Sequence, residues 1–261
     1  MMFQSIQYAI QDRIATITLH RPEKRNALND VMIRELFDAN IDAENNEDVR
    51  VIVLQGSGGN FCAGADLQYL LQLQKNSVLE NADDSRRLMQ TLYRWKTCAK
   101  PTIALVEGNA LAGGCGLALT CDIIIASENA KFGFTEVRIG FVPAIVSRLL
   151  IDRIGKGSAT ELLLRGNILT AQDARGLSMI NHVVASEDVQ RHVYTIAREI
   201  AQQTSPESVR LTKQLLREIE SLDLREAMNH AVAFNAFSRT TPDFQKGVES
   251  FVKKEKIDWT K

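Results

Sequence analysis

The feature that most restricts how this chain can fold is an alternation of β-branched runs with helical segments. RIATITL at 13 to 19 and VRVIVLQ at 49 to 55 are bounded by turn residues and read as strands. Between them Met32, Ile33, Leu36, Phe37 and Ile41 recur at helical spacing behind a candidate cap, Asn29. A polar helical stretch from about Asp83 to Cys98, the strand PTIALVEG after Lys100, a glycine-opened helix at 113 to 121 and the strand DIIIAS continue the succession. Strands alternating with helices predict an α/β core.

The character changes after about Thr204. Ser205-Pro206, Asp223 and Thr241-Pro242 each look like a helix start, and no strand run follows. This divides the chain into an α/β core carrying the site (1–203) and an all-helical C-terminal region (204–261). Val209, Leu216 and Ile219, then Met228, Val232 and Phe237, then Phe244, Val248 and Phe251 form apolar stripes that must pack on the core or on another subunit.

With 45% hydrophobic residues over 261 positions, the chain can build a large core. The balance of 31 basic and 32 acidic side chains, a formal charge of −1, offers no general attraction for nucleic acid or an anionic membrane. The four cysteines, Cys62, Cys98, Cys115 and Cys121, include no C-x-x-C pair and read as reduced, mostly buried thiols. His20, His182, His192 and His230 are scattered, which supports neither a nucleophilic triad nor a metal site. No cationic leader and no membrane-length apolar run is seen, so the expected location is cytoplasmic.

Two loops of small residues each follow a strand: GSGGNFCAGADL at 56 to 67 and EGNALAGGCGLAL at 107 to 119. Such loops make tight turns, and they also let a ligand approach free backbone N–H groups; an oxyanion hole needs two such donors. A third segment, KFGFTEVRIGFVPA at 131 to 144, sets Glu136 among apolar residues and glycine. Burial there would raise its pKa toward the range useful for proton transfer, whereas a surface ion pair with Arg138 would leave it structural.

HRPEKRNALN at 20 to 29, FCAGADL at 61 to 67, VEGNALAGGCGLALTCDIIIAS at 106 to 127 and AKFGFTEVRIGFVP at 130 to 143, in this order and spacing, closely resemble the enoyl-CoA hydratase/isomerase (crotonase) family. The resemblance runs through the C-terminal PDFQKGVESFVKKEK. It implies a spiral of strand, strand, helix repeats followed by a helical region, assembled as a trimer or a dimer of trimers. The implied substrate is an acyl-CoA thioester, with coenzyme A as part of the substrate and no tightly bound cofactor or metal. By carry-over, the backbone N–H groups of Ala63 and Gly113 would hold the thioester oxygen. Arg25, Ala27, Gly64, Ala65, Asp66, Gly114 and Gly116 would line the substrate site, Asp66 having a competing role as a helix cap. Lys253, Lys254 and Lys256 could meet CoA phosphates or simply form a solvated helix end.

Hydratases of the family use two glutamates twenty residues apart. Glu136 matches the second, but the first falls on Gly116, which has no side chain. Three readings follow. Glu136 alone activates water, in a hydratase for an unusual acyl group; FTEVRIGFVPAIVS looks like bacterial methylglutaconyl-CoA hydratases, whose carboxylated substrate would suit Arg138 or Arg148. Alternatively Glu136 shuttles a proton between two carbons as an isomerase. In the third reading the chain is a non-catalytic CoA-binding assembly protein.

Overall fold

A computed structural model describes residues 3–259. The chain opens with β1 (Ile6–Gln11), β2 (Ile14–Leu19), α1 (Asp30–Asn45), β3 (Val51–Gly56), α2 (Leu67–Leu73) and α3 (Val78–Thr97). It continues through β4 (Thr102–Val106), β5 (Asn109–Leu111), α4 (Gly113–Leu119), β6 (Ile123–Ser127) and β7 (Lys131–Gly133). Next come α5 (Ala144–Arg165), β8 (Ile168–Thr170), α6 (Ala171–Gly176), β9 (His182–Val184) and α7 (Val189–Gln203). Three helices, α8 (Pro206–Glu218), α9 (Leu224–Ser238) and α10 (Pro242–Lys253), end the described chain.

The large sheet has the order β1-β2-β3-β4-β6-β9 and is parallel apart from the β1–β2 hairpin. A small sheet, β5-β7-β8, lies beside it. Strand alternation explains the packing. Val51, Val53, Ile103, Leu105 and Ile125 face Val189, Val193, Ala197 and Ala201 of α7, while Ile52, Leu54, Ala104, Val106 and Ile124 face the main core with α1, α3 and α4. Both faces are covered, so the parallel strands read as continuous apolar runs.

The local signals work as expected at several ends. Asn29 accepts from the Met32 N–H at 2.9 Å and starts α1. Ser205, Asp223 and Thr241 cap α8, α9 and α10. Helix α3 begins at Val78, earlier than the sequence reading, because Ser77 and Glu80 form a capping box. The three-residue strands β5, β7, β8 and β9 were not expected; three residues are too few to show a period.

The stripes of α9 and α10 do not pack on the chain's own core, whereas Val209 and Ile219 of the first stripe are half-buried. No residue of α9 or α10 is buried, and Met228, Val232, Phe237, Phe244, Val248 and Phe251 are all exposed. Among the described residues no helix is long and apolar enough to cross a membrane. All four cysteines are free and buried.

Candidate active site

The site is built at the carboxyl ends of parallel strands, where the chain leaves β2, β3 and β4 in the same direction. The three segments that follow are joined by backbone hydrogen bonds. Phe61 N–H donates to Glu107 O at 2.8 Å, Cys62 N–H to Asn109 O at 2.8 Å, and Leu111 N–H to Cys62 O at 2.9 Å. Leu28 N–H donates to Gly64 O at 2.7 Å and Asp66 N–H to Leu28 O at 2.8 Å. The two glycine loops and the RNALN segment are therefore one folded unit.

A residue that the sequence reading passed over secures it. Asn26 is fully buried, and its Nδ2 donates to Ser57 O and Asn60 O, both at 2.8 Å, while its Oδ1 accepts from Arg21 N–H at 2.9 Å. Arg25 and Asn26 both take a left-handed backbone, φ 50° and 54°. Asparagine tolerates that conformation better than most residues, which is the signal that could have marked it.

The first oxyanion assignment needs correction. Ala63 N–H donates to Arg25 O at 3.0 Å, so it is turned into the fold and cannot meet a ligand. Gly64, at φ +94°, then swings the chain round, and the N–H of exposed Ala65 has no acceptor among the described residues. The available donor on this loop is Ala65. Gly113, the other expected donor, opens α4. Ala112 precedes it at φ 49°, ψ −125°, a sparsely populated conformation held by Ala112 N–H to Gly133 O at 2.7 Å and Gly116 N–H to Ala112 O at 3.0 Å. That turn leaves the Gly113 N–H at the first position of α4 with no acceptor among the described residues.

Glu136 enters from the second sheet, at the head of a 3₁₀ turn, Glu136–Ile139, after β7. It is 7% exposed and its Oε2 has no hydrogen-bond partner. Burial pushes its carboxyl above the ordinary glutamate range, and a bond from its own backbone N–H only partly opposes this. The alternative of a surface ion pair with Arg138 does not hold: Glu136 is buried, and no such pair forms. A buried carboxyl with a raised pKa is better suited than an ordinary one to take a proton and give it back.

The family model for enoyl-CoA hydratase/isomerase matches residues 9–261. The "Putative enoyl-CoA hydratase" of Thermus thermophilus is 39% identical over 241 residues, covering 92% of this chain and 95% of that protein. The 2,3-dehydroadipyl-CoA hydratase of Escherichia coli is 32% identical over 250 residues, 95% of this chain and 96% of its own. Among solved structures, the enoyl-CoA hydratase of Mycobacterium smegmatis superposes with a TM-score of 0.92 at 27% identity, covering 99% of this chain and 100% of that one. The chain belongs to the enoyl-CoA hydratase/isomerase family. It is an enzyme with the crotonase fold, of a family that acts on acyl-CoA thioesters.

Against that family background, the remaining positions sort by burial. Asp66 is 6% exposed, and both carboxylate oxygens are engaged, Oδ1 by Gln68 N–H at 2.9 Å and Oδ2 by Arg21 at 2.8 Å. Burial alone would raise its pKa, but the Arg21 guanidinium and the Gln68 N–H hold it below the ordinary range. Asp66 braces the loop and caps α2; it does not line the site. Gly114 and Gly116 are likewise buried, and neither has room for a side chain. A Cβ on Gly114 would meet Cys62 O at 2.4 Å, and one on Gly116 would meet Val146 Cγ1 at 2.3 Å. Arg25 and Ala65 are exposed and Ala27 and Gly64 buried beneath them.

A side chain at 116, where the resemblance implies the first glutamate of the hydratases, would thus meet a side chain from α5. Cys115, next to Gly116, is a buried thiol whose pKa is raised by desolvation and by the charge of Glu136, opposite to what a nucleophile needs. Arg148 is bound by Asp152 at 2.8 Å and approaches Glu220 at 3.8 Å, and Ser147 donates to Ala144 O at 2.7 Å. Lys253 pairs with Glu249 on an exposed helix end. No metal-holding cluster occurs among the described residues.

Proposed function

We propose that the protein hydrates a 2-enoyl-CoA thioester with one acid/base carboxylate, Glu136. The observation that carries this reading is a buried, unpartnered carboxylate oxygen facing no cation. The thioester oxygen accepts from the N–H groups of Ala65 and Gly113, which stabilises the negative charge that gathers on it during the reaction. Glu136 takes a proton from water as the oxygen attacks C3 and then gives that proton to C2, returning to the carboxylate, so that one water adds across the double bond. Arg25, Ala27 and Gly64 shape the CoA entry, and CoA arrives and leaves as part of the substrate without a separate cofactor.

A second reading, double-bond migration in a 3-enoyl-CoA, is favoured by the apolar side chain of Val146 at the place of the missing carboxylate beside Gly116. For the acyl group, a carboxylated chain is supported by Arg138, which is exposed and forms no ion pair among the described residues, and by the substrate named for the Escherichia coli relative. Methylglutaconyl-CoA belongs to that class. Residues 204–261 serve packing and assembly: the exposed stripes of α9 and α10 cover one another's subunits in a trimer or a dimer of trimers. The test is incubation in heavy water with straight, branched and carboxylated 2- and 3-enoyl-CoA thioesters, read by mass spectrometry. Gain of one water on a 2-enoyl-CoA is the expected result; deuterium exchange with double-bond movement and no gain of water would contradict hydration.

A further inference from the structure

Gly116 and Val146 make a single feature supplied by two helices. A Cβ built on Gly116 stands 2.3 Å from Val146 Cγ1 and 3.1 Å from Val146 Cβ, with Leu92 Cδ1 at 3.9 Å. Val146 and Leu92 are 3% and 2% exposed, so neither can swing into solvent to make room. Helix α5, which carries Val146, packs on α4, which carries Gly116, and on the turn headed by Glu136. The volume denied at 116 thus borders the region where the proton is carried.

We propose that Val146 is the positioning residue that fixes the number of carboxylates in this site at one. With valine at 146, position 116 must be glycine. The wall there is an isopropyl group with no polar atom to hold water, so the attacking water is held from the Glu136 side. The two positions are then a matched pair: only a simultaneous exchange can install a second carboxylate. This inference rests on the reading of Glu136 as the acid/base group.

The experiment compares wild type, Gly116→Glu, Val146→Ala and the double variant Gly116→Glu/Val146→Ala, with Gly116→Glu/Val146→Gly as a roomier second form. Gly116→Glu alone should melt well below wild type, and the second exchange should recover about half of that loss or more, the non-additivity expected of residues in contact. The folded double variant should hydrate a straight 2-enoyl-CoA at least about tenfold faster than Val146→Ala, in line with the usual contribution of an added acid/base group. Its pH profile should gain a second ionisation, because two neighbouring carboxylates do not ionise together. A Gly116→Glu protein as stable as wild type overturns the pairing, as do double variants that regain no stability. A folded double variant with the rate and pH profile of Val146→Ala also overturns it. A wild type that neither hydrates nor isomerises any enoyl-CoA instead defeats the reading of Glu136, and this role with it.

Discussion

The wall formed by residues 25–28, 61–66 and 107–113 is held by backbone hydrogen bonds, whereas the wall where Val146 of α5 meets Gly116 of α4, beside the Glu136 turn, is held by side-chain packing. On the first wall the groups offered to a ligand are N–H groups, so side chains need only be small. On the second, the proposed site has one carboxylate where the resemblance to the hydratases implies two, and an apolar side chain from another helix takes the volume at 116. A backbone-built wall preserves its chemistry through sequence change. A packed wall can exchange chemistry whenever two neighbours change together.

The sharpest way to break this contrast is to delete a donor without adding bulk elsewhere. Gly113→Pro removes the N–H at the first helical position, and turnover should fall about 10²- to 10³-fold, as for other oxyanion donors. Gly113→Ala keeps the N–H, and its Cβ meets only Leu28 Cδ1 at 3.4 Å, so activity should stay close to wild type. Equal losses in both, measured as kcat/KM with circular dichroism as the fold check, would mean that bulk and not the N–H matters.

Bracing of the first wall is the next target. Asp66→Ala removes the α2 cap and leaves Arg21 without its carboxylate, which should cost roughly 1–3 kcal/mol in denaturant unfolding. A stability within error of wild type would show that the backbone bonds alone hold the loop.

How far the sequence discloses this site follows from the same contrast. Small residues at 63 to 65 and 112 to 114 mark both loops, because close approach leaves few residue types. They do not say which N–H is free: Ala63 and Ala65 are the same residue two apart, and only the Ala63 N–H to Arg25 O bond and the turn at Gly64 separate them. Glu136 stands out as a charge in an apolar segment. Val146 does not, since its partner lies thirty residues away on another helix and valine in an apolar helix signals nothing. The C-terminal stripes predict packing, but whether on the core or on a neighbour is decided by where the helices point, and α9 and α10 bury no residue of their own.

A smaller effect distinguishes Glu136 by pH. Its folded pKa lies above the unfolded one, so between the two values the folded chain holds more protons and stability falls as pH rises. Glu136→Gln removes that penalty. Its melting temperature should exceed that of wild type, with the gap widening as pH rises through and above the ordinary carboxylate range; a constant gap would mean that Glu136 ionises as freely folded as unfolded.

The most direct test of the central claim, that Glu136 alone carries the proton, is single-turnover incubation of wild type and Glu136→Gln with a 2-enoyl-CoA in heavy water, reading deuterium at C2 of the product. The account predicts one deuterium per turnover in wild type and none in Glu136→Gln, with acyl-CoA binding nearly unchanged. Continued deuterium incorporation at the wild-type rate in Glu136→Gln would contradict it.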